Sequence, residues 1–118
     1  PGPLMAIYYA SKAFVLSFSE ALDDELCGRG VSVTVLCPGA TKTGFQERAK
    51  MNGSKLFKSH VMDARTVAEA GYAGLMKNKR IVIPGLKNKL LTQSIRFAPR
   101  ALVTRMVRKI QEADKSVL

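Results

Sequence analysis

The tripeptide Gly28-Arg29-Gly30 separates two runs of different period, and that junction limits the fold more than any other feature of the chain. Before it, from Tyr8 to about Cys27, Ala13, Leu16, Ala21, Leu22 and Leu26 recur at roughly the 3.6-residue spacing of a helix. Phe14, Val15 and Phe18 widen the apolar face, while Glu20, Asp23, Asp24 and Glu25 supply a wet one. After it, Val31 to Leu36 is a β-branched run closed by Pro38 and apolar at 31, 33, 35 and 36, which predicts a mostly buried strand. A helix that hands over to a buried strand through three residues points to an α/β fold layered on a parallel sheet.

The rest of the chain extends this pattern. Pro38 to about Lys58 reads as a loop with a short helical piece from Thr43 to Met51, closed by Asn52-Gly53-Ser54. Asp63 is a good N-cap for a helix from Ala64 to about Lys77, and Ile81-Val82-Ile83 makes a second short strand ended by Pro84-Gly85. Residues 86–118 read as two amphipathic helices split at Pro99. Two parallel strands cannot satisfy their own edges or cover both faces. The chain is therefore expected to pair with another copy or to be part of a larger domain.

Composition narrows the classes. With 118 residues, 47% hydrophobic and 24% charged, the chain has the makeup of one globular domain rather than of a disordered one. No apolar run approaches the ~20 residues that span a bilayer, and no secretory leader is visible. Pro1 does not look like a natural start, which suggests a fragment. Cys27 and Cys37 lack CxxC spacing and His partners, so they predict two reduced thiols in a cytoplasmic protein rather than a metal site or a disulfide. The net charge of +10 sits in the tail: residues 77–118 hold eleven Lys/Arg against Glu112 and Asp114.

Tyr8 and Lys12 stand four apart at the start of the first helix, on one face and one turn from each other. An ammonium beside a phenol favours the phenolate, the tuning that a general acid/base needs to protonate a carbonyl or deprotonate an alcohol. On spacing alone, which recurs by chance on many helices, an ordinary surface Tyr and a solvated Lys are the favoured reading. The context adds to it. Tyr8-Tyr9-Ala10-Ser11-Lys12 is followed by a long amphipathic helix, a strand, and Cys37-Pro38-Gly39-Ala40-Thr41-Lys42-Thr43. This order resembles the second half of the short-chain dehydrogenase/reductase family, most strongly over residues 6–44.

The resemblance implies the C-terminal part of a Rossmann-like doubly wound parallel sheet, about two strands of it, with a helical C-terminal extension. Residues 1–85 would be the half-domain and 86–118 the basic amphipathic extension. It further implies an oxidoreductase that interconverts a small-molecule alcohol and a carbonyl with NAD or NADP. Tyr8 matches the catalytic acid/base, and Lys12 the residue that holds the nicotinamide ribose and tunes that Tyr. Pro38 and Gly39 match the turn at a strand's carboxyl end, and Thr43 the contact to the nicotinamide carboxamide. Tyr9 is expected to pack rather than react. No Thr-Gly-x-x-x-Gly-x-Gly loop occurs, and the family's catalytic Ser has no counterpart before Tyr8. The chain by itself is thus expected to be inactive, and a non-catalytic, self-associating remnant is the rival reading.

Residues 44–60 resemble the family's substrate lid, with Phe45, Met51, Leu56 and Phe57 suited either to an apolar pocket or to plain packing. His60, the only histidine, reads as a solvated side chain. For the tail, packing on its own domain and peripheral membrane contact through residues 86–113 are both open. Nucleic acid is not expected, because the basic residues are not interleaved with aromatics. A homo-oligomer is expected, and the location is cytoplasmic with membrane association left open.

Overall fold

The computed structural model describes residues 1–44 and 61–112. In chain order they form α1 (Ala6–Glu25), β1 (Val35–Leu36), β2 (Thr41–Lys42), β3 (Met62–Asp63), α2 (Ala64–Met76), β4 (Ile81–Val82), α3 (Leu86–Phe97) and α4 (Arg100–Glu112). The class is α/β, and every strand pairing is parallel.

Helix α1 starts at Ala6, two residues ahead of the expected Tyr8, behind Met5, whose side chain makes no cap. It stops at Glu25, and the chain turns through Gly28 (φ 78°) and Gly30 (φ 76°). Both glycines take the left-handed conformation that a side chain disfavours, so the junction is tight because of them.

The expected strand over 31–36 is shorter and wetter than its pattern suggested. Only Val35 and Leu36 are paired, to Ile81 and Val82, and Val31 is exposed. The reason lies in the partner. The ladder runs from Val35 N–H donating to Arg80 O (2.9 Å) to Cys37 N–H donating to Val82 O (2.8 Å), and past it Pro84 has no N–H to offer. Before Val35, the Val33 N–H donates to the Asp23 carboxylate instead (3.2 Å). The expected mostly buried strand is thus a two-residue one whose approach is tied to a helix.

A second parallel pair, β2 with β3 in the register Thr41↔Met62 and Lys42↔Asp63, replaces part of the expected loop. Two-residue strands are too short to show alternation in sequence. The short helix expected from Thr43 to Met51 falls outside the described residues except at Thr43 and Gly44, which form a bend and a turn.

Helix α2 forms as its cap predicts: the Asp63 carboxylate accepts from Arg65 N–H (3.0 Å) and Thr66 N–H (3.2 Å). It lies against β4 at Gly74, where any side chain would run into Val82. A glycine inside a helix costs about 1 kcal/mol relative to alanine; here its missing side chain is what allows the close approach. The tail breaks where expected, with Ala98 extended (ψ 141°) ahead of Pro99.

Candidate active site

Nine residues, 26–34, turn the chain from the end of α1 to the start of β1. The pins at that turn are explicit. Arg80 Nε donates to Asp23 Oδ2 at 2.7 Å and Arg80 Nη2 lies 3.9 Å from Asp24, so the end of α1 is tied to the start of β4 as well as to Val33. The Arg80 hydrogen bond, and after it the Val33 N–H, hold the Asp23 carboxyl below the usual carboxylate range. With its last turn fixed there, α1 carries its first turns, and with them Tyr8 and Lys12, toward the carboxyl end of the strands. Ligands of open α/β sheets bind at that end.

Tyr8 is exposed, and the Lys12 Nζ stands over its ring, 5.6 Å from the centroid. That is cation–π distance. Ser11 Oγ donates to the Tyr8 carbonyl (2.7 Å), closing the first turn on itself. Tyr9 meets Tyr8 edge to face with centroids 5.7 Å apart. Its hydroxyl accepts from Gln111 Nε2 at 2.9 Å, and Gly2 packs against its ring so closely that a side chain at position 2 would strike it.

Pro38 and Gly39 follow β1 directly, and Thr43 follows β2. A side chain at Gly39 would collide with the Asn88 amide, which donates to Pro84 O (2.9 Å) and approaches the Met62 sulfur (3.8 Å). The structure therefore makes two groupings: Tyr8 with Lys12, and the Pro38–Gly39 turn with Asn88. A cavity of about 280 Å³, lined by Val61, Met62 and Gly85 to Asn88, opens beside the second grouping and includes none of the expected site residues. Cys37, next to Pro38, has its thiol pushed up by burial and then by Glu20, which favours its protonated form. Phe45, Met51, Leu56, Phe57 and His60 lie outside the described residues. Among those described, no group of His, Cys, Asp and Glu is arranged to hold a metal.

Two residues escaped the sequence reading. Asn88 gave no signal beyond a polar residue in the first turn of α3. Gln111 gave one: it is the polar member of the i, i+4, i+8 row Val103, Val107, Gln111.

Residues 1–53 match the sequence model of the short chain dehydrogenases. The ketoacyl reductase HetN of Nostoc sp. is 31% identical over 85 residues, 71% of this chain and 25% of that protein. Human 17-beta-hydroxysteroid dehydrogenase type 3 is 42% identical over 52 residues, 44% of this chain and 17% of that protein. The sulfoacetaldehyde reductase of Chromohalobacter salexigens is 51% identical over 45 residues, 38% of this chain and 18% of that protein. No solved structure matches. The matched segments span a quarter or less of these relatives' lengths, and each includes a reductase or dehydrogenase in its name. A Tyr–Lys pair on the helix ahead of a parallel strand, a Pro-Gly turn behind that strand, and a match over residues 1–53 agree: the chain belongs to the short-chain dehydrogenase/reductase family.

Proposed function

We propose that the protein to which these residues contribute is an NAD- or NADP-dependent oxidoreductase that interconverts an alcohol and a carbonyl, and that Tyr8 is its acid/base. The carrying observation is the Tyr8–Lys12 pair on the first turns of α1, with the ammonium over the phenol ring. In this reading the Tyr8 oxygen gives its proton to a carbonyl oxygen, or takes one from an alcohol. Lys12 holds the ribose hydroxyls, and Pro38, Gly39 and Thr43 border the nicotinamide. A phenol, an ammonium and a Thr hydroxyl are a donor set that suits a ribose and a carboxamide. When bound, the nicotinamide supplies or accepts the hydride. The same 118 residues contain no glycine-rich phosphate loop, so alone they are expected to turn nothing over. We place them as the second half of a doubly wound sheet. The unpaired thiols of Cys27 and Cys37 support a reducing, cytoplasmic setting.

Tyr8→Phe in the whole enzyme tests the assignment. Turnover should fall by roughly 10²- to 10⁴-fold, the worth of a positioned acid/base, while nicotinamide binding, read by fluorescence, stays within a few-fold. Undiminished turnover would remove Tyr8 from the chemistry.

A second copy as partner is the other reading supported. Ile7, Phe14 and Phe18 stand out from α1, Ile7 at 88% exposure, and such a face calls for cover.

A further inference from the structure

The hydrogen bond from Gln111 to Tyr9 fixes how α4 faces the rest of the molecule. Gln111 is only 6% exposed, and Val103 and Val107, on the same i, i+4, i+8 row, are half-buried with it. About a quarter turn round the helix from that row, Leu102, Met106 and Ile110 form a second apolar row left partly in solvent, with Met106 at 56% exposure. Arg105 and Lys109 stand three residues beyond Leu102 and Met106, so they flank that row.

Helix α3 repeats the arrangement. Its half-buried Asn88 is held to Pro84 and Met62. The opposite side carries Leu86, Leu90 (62% exposed) and Phe97 (89% exposed), with Lys89 and Arg96 a heptad apart on one flank. Across α3 and α4, residues 86–112, there are seven Lys/Arg against Glu112 alone.

We propose that the α3–α4 tail docks on the surface of an anionic lipid bilayer. Each helix lays its exposed apolar row into the headgroup boundary, and the flanking Lys and Arg meet the lipid phosphates. Neither helix is long and apolar enough to cross a membrane; both have the apolar row with a cationic border that lies in the interface plane. A second copy of the tail is a poor occupant, because it would set seven like charges against seven. Nucleic acid would meet the charges but leave the apolar rows in water, and Phe97 is the only aromatic in the tail available to stack on bases.

The test uses the 118-residue chain and does not depend on the enzymatic reading. Vesicles of phosphatidylglycerol mixed equally with phosphatidylcholine should pull the chain down at low salt, and pure phosphatidylcholine should not. Replacing Arg105 and Lys109 by Gln should weaken partition roughly tenfold or more, and Phe97→Ser should weaken it too. The natural chain has no Trp, so the emission of Phe97→Trp should shift blue on anionic vesicles. All these positions are exposed, and circular dichroism checks that each variant keeps its helices. The proposal is overturned by equal partition into neutral vesicles, by no partition at all, or by indifference to the tail substitutions. It is equally overturned if Phe14→Ser on α1 abolishes partition, or if duplex DNA competes the chain off anionic vesicles at the same salt.

Discussion

Asp23 accepts from a backbone N–H on the way into β1 and from the guanidinium at the head of β4, so one carboxylate joins three elements. Its pKa is lowered on folding. The stability it contributes is therefore present above the unfolded value of about 3.9 and is lost as pH falls through the lower folded value. Asp23→Asn should lower the urea midpoint of the chain at pH 7, and the gap between variant and parent should close as the solution is acidified below the ordinary carboxylate range. A gap that persists at the most acid pH would show that the side chain acts through packing rather than charge. Added salt should narrow it as well, because Arg80 is half exposed. None of this could be seen in the sequence. Asp23 was assigned to the wet face of α1 along with Glu20, Asp24 and Glu25, and only the fold shows that Arg80 hydrogen-bonds Asp23 and comes near Asp24.

At the scale of elements, what could be read ahead was whatever is locally encoded. The α2 cap, the Gly28–Gly30 turn and the break at Pro99 each rest on a residue whose own chemistry sets the backbone, and each stands where expected. Asp63→Ala should cost about 1 kcal/mol of stability, with the loss of helix signal confined to the start of α2; Asp63→Asn should recover most of it. What misled was the burial of Val31 to Leu36. A β-branched run states a preference for strand, but burial depends on what lies across it, and a parallel strand's cover comes from elsewhere in the chain. The β2–β3 pair escaped for a similar reason, since Thr41 and Met62 are joined by a register that two residues cannot announce. For the candidate site, Tyr8 and Lys12 were legible because one helical turn relates them. The clasp of Asn88 on Gly39 was not, being made by residues 49 positions apart.

The described residues, taken together, are short of interior. Among the described large apolar residues only Val35 and Val67 are buried. Apolar surface left in water on this scale favours association. Sedimentation equilibrium should show an apparent mass that rises with concentration, and exchanging Phe14 and Phe18 for Ser should reduce the rise. A concentration-independent monomer with a sharp cooperative melt would contradict the self-associating reading.

One bond bears on the order in which such a molecule comes apart. Gln111 and Tyr9 are 102 positions apart in the chain. Bringing such distant points together costs an unstructured chain about 4 kcal/mol in closure entropy, and a single hydrogen bond returns about 1 kcal/mol. The contact cannot draw the ends together. It forms only after the intervening helices and strands have shortened the path between them. Helix α4 is thus expected to close after the elements before it and to lift away ahead of them, which amide-exchange protection along the chain would check.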